Sequence, residues 1–191
     1  MIARRCSGGN DQNKNQETSS RRNTGICSPY INRLSDDLDP SEILRVNLPT
    51  MLEIVRSIGV DRLDIPFAKD EWTVKEILVH IMDQERIYVY RALRFVRHDS
   101  TDLAPMDHEE YVRNSGVQNR SIDSLLEEYQ SVRKASLSFF NSLKENDLDR
   151  CGKVGGDVFS VRGIFWLAAA HETHHLNSIR ENYLNASSYQ N

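Results

Sequence analysis

Apolar residues recur at three- and four-residue intervals in four stretches of this chain, and that spacing predicts one buried face on each of four α-helices. Each stretch begins behind a residue that caps helices. Asp39 and Pro40 begin the first, the capping box Thr73–Glu76 begins the second, and Ser121 and Ser160 begin the third and fourth. No convincing set of strands accompanies these helices. The pattern predicts an all-α four-helix bundle.

The expected helices differ in length and continuity. The second runs to about Arg97, and residues 98–120 form a loop with a short helical turn. Pro49 lies inside the first helix, where its ring removes a backbone donor, so we expect a kink or a break there. The segment CGKVGGDVFS before the last helix predicts a glycine-rich turn or a small hairpin.

The first part of the chain has a different composition from the rest. Residues 1–37 are polar, rich in Gly, Ser and Asn, and have no apolar periodicity. We expect a disordered polar tail there and one helical domain over residues 38–191. Neither a membrane-spanning run nor the apolar core of a secretory signal occurs, so no membrane partner and a cytoplasmic location are expected. The net charge of −4 argues against nucleic acid as a partner.

Three of the six histidines stand together in the fourth predicted helix, in the segment AAAHETHHLNSIREN. His171 and His175 are four residues apart and therefore share a helix face. His80 lies at the edge of the apolar stripe of the second helix and can supply a third imidazole. Three imidazoles that converge would bind a divalent metal ion such as zinc, nickel, iron or copper.

Each of these residues also has a plainer interpretation. The alternative interpretation of the three histidines is hydrogen-bonded core residues of a metal-free bundle. Asp83, three residues after His80, is a candidate catalytic group that could orient a ligand or accept a proton, or else a solvated surface acid. Glu172 fits a supporting partner of the site or an ion pair with an arginine. Trp72 is interpreted either as part of a pocket wall or as a residue that packs at the start of the second helix. His108 is interpreted as a surface group.

Three segments of the chain resemble the DinB-like superfamily of small metal-binding four-helix proteins. They are EWTVKEILVHIMDQERIYVYRALRFVRHD, NRSIDSLLEEYQSVRKASLSFFNSL and SVRGIFWLAAAHETHHLNSIRENYL. The tryptophan, capping box and mid-helix histidine from Trp72 to His80 carry the resemblance, together with the final H-x-x-H-H. The resemblance implies a bundle of up-down-down-up order with a long crossover, homodimers, and a metal triad of His80, His171 and His175 with His174 as a neighbour.

Two kinds of function follow from these residues and the resemblance. The first is a metal-dependent enzyme, either a hydrolase or a low-molecular-weight-thiol S-transferase, with a small-molecule substrate and, in the transferase version, a thiol partner. The second is a non-catalytic, stress-related metal-binding or interaction module. A Ser-His-Asp order, a Walker loop and a dinucleotide glycine fingerprint are all missing from the sequence, which disfavours covalent-nucleophile and nucleotide mechanisms.

Overall fold

A computed structural model describes residues 39–184 of the chain. Four long helices dominate it: α1 (Pro40–Ser57), α2 (Val74–Val96), α4 (Ile122–Asn141) and α6 (Val161–Ile179), the last continued by a π-helical turn, Arg180–Leu184. The predicted all-α four-helix bundle is confirmed. The predicted division into a tail of residues 1–37 and a domain of residues 38–191 falls partly outside the described residues and stays a prediction.

All four predicted helix starts carry the cap that the sequence indicates. The Asp39 carboxylate accepts a hydrogen bond from the Ser41 amide at 2.8 Å. Thr73 and Glu76 form the reciprocal capping box of α2. The hydroxyls of Ser121 and Ser160 accept from backbone amides of the first turns of α4 and α6. Each cap satisfies a donor that the first helical turn leaves unpaired, and this determines where the helix begins.

The expected break at Pro49 is wrong, because α1 continues through it from Pro40 to Ser57. Pro49 is exposed, so its ring lies on the solvent side of the helix. The carbonyl that loses its helical partner, that of Arg45, belongs to another exposed residue and can bond to water. The apolar face of α1, with Met51 and Val55 fully buried, then keeps the helix continuous.

The packing order of the helices decides which faces meet. Helix α1 packs on α4 and α6, and α2 also packs on α4 and α6. The first two long helices are therefore diagonal neighbours, and α6 lies between them. As a result, the face of α2 that carries His80 and the face of α6 that carries His171 come together.

Three connections join the four long helices, and the first, between α1 and α2, contains a 3-10 turn, Val60–Arg62. A long connection between α2 and α4 contains the short helix α3 (His108–Arg113) and a 3-10 turn, Val117–Asn119. The connection between α4 and α6 contains a short helix α5 (Glu145–Leu148) and the hairpin of β1 (Cys151–Val154) and β2 (Asp157–Ser160). The predicted hairpin is thus confirmed. Gly155 and Gly156 form its two-residue turn with φ values of 58° and 87°.

Among residues 39–184, none of the helices combines the length and the apolar character needed to cross a membrane.

Candidate metal centre

Three imidazole rings converge between α2 and α6. The Nε2 atom of His80 lies 2.8 Å from Nε2 of His171, and Nε2 of His175 lies 3.2 Å from the same atom. The candidate ligand atoms of the three residues all lie within 4.8 Å of one another. The structure therefore brings together the three histidines that the sequence singles out, and their role as metal ligands stays a prediction.

Burial keeps these imidazoles neutral. His80 is only 4% exposed, and its burial, together with the nearby His108, lowers its pKa from 6.5 to about 4. Burial and the neighbouring His80 lower the pKa of His175 to about 3. The pKa of His171 is also well below its usual value, first because of burial and then because of His175. Neutral imidazoles offer the lone pairs that a cation needs.

The donor set fits a divalent ion. Nitrogen ligands held at about 2.0–2.1 Å from a tetrahedral zinc ion lie about 3.3 Å from one another. The His171–His175 separation of 3.2 Å is close to this value, and the His80–His171 separation of 2.8 Å is shorter. Hydrogen bonds explain the cluster less well. Nε2 of His171 faces Nε2 atoms of both other rings, yet a neutral imidazole nitrogen offers a single donor or a single lone pair. A shared cation satisfies all three nitrogens at once.

The ring of His80 is oriented by packing. Its centroid lies 4.6 Å from that of Trp72, with the ring planes tilted by 50°. Its Nδ1 atom is buried and has no hydrogen-bond partner among the described residues. Trp72 also stacks on His175, with centroids 6.3 Å apart. Sequence reasoning allowed Trp72 to pack at the start of α2, and the structure shows that it also packs against two of the three candidate ligands.

Asp83 does not join the histidine group. Its carboxylate pairs with Arg86 at 3.3 Å, and it lines a surface cavity with Glu110, Tyr111 and other residues of the α3 region. None of the three clustered histidines lines that cavity. Burial raises the pKa of Asp83, and Arg86 opposes the change. This placement is that of the surface acid which the sequence also allowed, and a catalytic role for Asp83 stays a prediction.

A buried polar network lies beside the cluster and joins all four long helices. Arg133 on α4 is fully buried and donates to both carboxylate oxygens of Glu85 on α2, at 3.0 and 2.9 Å. It also donates to Glu172 on α6 and to the Leu44 carbonyl on α1. The hydroxyl of Tyr129 donates to Glu172 as well. Glu172 directly follows His171, so the network adjoins a candidate ligand.

Sequence reasoning allowed an ion pair for Glu172 but missed Arg133 and Glu85. The sequence does contain a pattern that indicates the burial of Arg133, since this residue follows the buried Tyr129 by four positions on the apolar stripe of α4. A cationic side chain in such a position is expected to have buried carboxylate partners.

A cleft of about 230 Å³ opens next to His175. One wall is the segment before α2, with Phe67 and Trp72, and the opposite side comes from α3 and α6. Tyr183 holds that wall in place: its hydroxyl accepts from the Phe67 amide at 3.2 Å and donates to the Trp72 carbonyl. A small molecule in this cleft would contact His175, and through it the cluster.

Two further histidines flank the cluster. The ring of His108, on α3, lies 5.8 Å from that of His80 between centroids, and its side chain is exposed, as the sequence indicates. The ring of His174 lies 5.0 Å from that of His175. Neither belongs to the group of converging nitrogens. All of the chain's histidines except His98 therefore lie at or near one site.

The same arrangement of helices occurs in a known family. A model of the DinB superfamily matches residues 43–179. The chain belongs to the DinB superfamily. The resemblance seen in the sequence is thereby confirmed, and the match covers the helices that carry all three clustered histidines. A search of curated proteins gives no significant match.

Three solved structures share the fold of this chain. YfiT from Bacillus subtilis, described as a probable metal-dependent hydrolase with an unusual four-helix bundle topology, aligns with a TM-score of 0.72 and 15% identity over 81% of this chain and 90% of its own. A mycothiol-dependent maleylpyruvate isomerase aligns with a TM-score of 0.63 and 9% identity, over 78% of this chain and 62% of its own. The DinB-like protein YjoA from Bacillus subtilis aligns with a TM-score of 0.58 and 16% identity, over 80% of this chain and 94% of its own.

Proposed function

We propose that this DinB-superfamily protein is a metal-dependent enzyme in which His80, His171 and His175 hold one divalent ion through their Nε2 atoms. The convergence of those three nitrogens beside an open cleft is the observation that carries the proposal. A divalent ion so held supplies Lewis acidity and lowers the pKa of a water molecule or thiol that binds to it. The reaction is then the attack of water, or of a low-molecular-weight thiol, on a small electrophile.

The surrounding residues have separate tasks in this proposal. Packing of Trp72 against His80 and His175 restricts water on one side and fixes the direction of both rings. The cleft positions the substrate next to His175. In hydrolysis, the oxygen of water bonds to the electrophilic atom and the leaving group departs with a proton. In thiol transfer, the sulfur of the thiol bonds to the electrophilic atom instead, and the leaving group again departs with a proton.

The fold neighbours support both versions. The hydrolase version agrees with the description of YfiT as a probable metal-dependent hydrolase. The thiol version agrees with a neighbour that depends on mycothiol. Both likenesses are below 25% identity and show the shared fold alone, so the reaction proposed here depends on the histidine cluster and its cleft.

Parallel assays of the full chain test the proposal. Metal-free protein and protein loaded with zinc or cobalt are compared for thiol consumption with a panel of electrophiles, and for hydrolysis of a panel of esters and amides. We expect turnover in one assay that is lost on chelation and in the His80→Ala variant. His98→Asn, at an exposed histidine outside the cluster, serves as the matched control and retains activity.

Absence of metal-dependent turnover in both assays would overturn the proposed function. A chain that binds the ion but turns over nothing would instead fit the non-catalytic metal-binding or interaction module.

A further inference from the structure

We propose that the cleft beside His175 selects small molecules that carry a positive charge, with amines and aminothiols as the preferred class. This inference rests on the proposed function, because it assigns the substrate class of the same site. It is carried by the carboxylate and aromatic side chains that line the cleft, where the described residues contribute no lysine or arginine.

The lining is acidic. Three carboxylate residues border the cleft, and no lysine or arginine does so within the described residues. The full lining consists of Phe67, Asp70, Glu71, Trp72, Ile77, Glu109, His174, His175 and Ser178. An anionic substrate would face these carboxylates with no lysine or arginine among the described lining residues to pair with, whereas a cation would gain Coulomb attraction from them.

Two of the carboxylates carry the argument. Glu71 precedes α2 and Glu109 belongs to α3, so they come from different elements that border one cleft. Neither forms an ion pair with a lysine or arginine in the part of the chain that the structure describes, and the nearest basic atom to Glu109 is Nε2 of His108 at 3.9 Å. Asp70 contributes less, because the Lys69 ammonium lies 4.0 Å from its carboxylate and both side chains are highly exposed.

Aromatic rings add a second attraction for a cation. Phe67 and Trp72 form the wall that Tyr183 holds in place. The edge-on contact between Phe67 and Tyr183, with centroids 5.5 Å apart, fixes the direction of the Phe67 ring. The face of an aromatic ring attracts ammonium groups by about 0.5–1 kcal/mol at exposed sites. Carboxylates together with aromatic rings are a combination that recognises organic ammonium ions.

Three small thiols that differ in the charge of their tails test the inference. Cysteamine, 2-mercaptoethanol and 3-mercaptopropionate are titrated into the cobalt-loaded full chain, and the sulfur-to-cobalt absorption band reports binding. The test variant is Glu71→Gln with Glu109→Gln. The matched control is Glu110→Gln, which neutralises a carboxylate on the same short helix, at the other cavity. The three thiols also differ in the pKa of their SH groups. Each thiol is therefore compared with itself, as the ratio of its affinity for the variant to its affinity for the wild type, so that this difference cancels.

We expect a loss of affinity that is selective for the positively charged thiol. The double variant should bind cysteamine about fivefold more weakly, since two exposed charge contacts are removed, while 2-mercaptoethanol changes by less than about twofold and 3-mercaptopropionate binds more tightly. The Glu110→Gln control should leave all three affinities unchanged.

Equal changes for the three thiols, or an equal effect of Glu110→Gln, would overturn the inference and leave the proposed function intact. A chain that takes up no cobalt would overturn the proposed function itself, together with this inference, and would be recognised before any thiol is added.

Discussion

Removal of the buried arginine tests whether the polar network holds the bundle together. Arg133→Met keeps the length of the side chain and removes its charge. It leaves Glu85, 4% exposed, and Glu172, 1% exposed, without their cation. It also removes the donor to the Leu44 carbonyl.

The loss of stability in Arg133→Met can be estimated from these contacts. Breaking a buried ion pair by removing one partner costs about 3–5 kcal/mol. A stranded glutamate can instead take up a proton, which at pH 7 costs about 3.7 kcal/mol from an ordinary pKa of about 4.3. Protonation of one of the two glutamates therefore costs about as much as the broken ion pair, and we expect the free energy of unfolding to fall by about 3–5 kcal/mol.

The loss should depend on pH in a definite direction. Burial already raises the pKa of Glu172 in the wild type, and Arg133 opposes that change. Without Arg133 the neutral form of Glu172 is favoured further in the folded state, so stability is lost as pH rises through neutrality. The difference between variant and wild type, measured by urea unfolding, should therefore be smaller at pH 5 than at pH 8.

Two controls separate this explanation from a general loss of packing. Arg113→Met removes an exposed ion pair with Glu110 and should change stability by about 0.5 kcal/mol or less. The apolar quadruple variant, Glu85→Leu, Tyr129→Phe, Arg133→Met and Glu172→Leu, should recover most of the lost stability, because no charge is left stranded. A loss under about 1 kcal/mol for Arg133→Met, or one that does not vary with pH, would refute the reasoning.

Three further predictions concern the cap and the metal centre. Thr73→Ala removes the cap of α2 and should lower the free energy of unfolding by about 1 kcal/mol in urea unfolding; no change would contradict the capping argument. Metal-free protein should lose stability as pH falls from 6.5 towards 4, because His80 takes up a proton readily in the unfolded chain but not when buried in the folded one. The free energy of unfolding should fall by about 3 kcal/mol over this range. A His80→Ala variant with the same pH dependence would contradict this prediction. Zinc at a hundred times its dissociation constant should raise the free energy of unfolding by about 2.7 kcal/mol, seen as a higher melting temperature than with chelator; equal melting temperatures would contradict a folded-state site.

Local rules account for what the sequence could predict. Capping residues and the 3.6-residue period are properties of short segments, so the starts of all four long helices, including Thr73 and Ser160, could be predicted without knowing the packing. The four-residue spacing of His171 and His175 likewise guarantees a shared face. His80 could be proposed as their partner because it lies at the edge of an apolar stripe.

Features that depend on how helices pack could not be predicted from local patterns. The contact of Trp72 with His175 joins residues about 100 positions apart, on different elements of the bundle. The burial of Arg133 depends on carboxylates from two other helices. The continuity of α1 through Pro49 depends on that residue facing solvent.

The metal content of the purified chain, made without a polyhistidine tag, tests the central claim most directly. Titration of zinc into the metal-free protein, followed by calorimetry, should give one ion per chain. Single replacement of His80, His171 or His175 by alanine should weaken binding severely, while His98→Asn should bind as the wild type does. Undiminished binding in His80→Ala, or no binding in the wild type, would contradict the account.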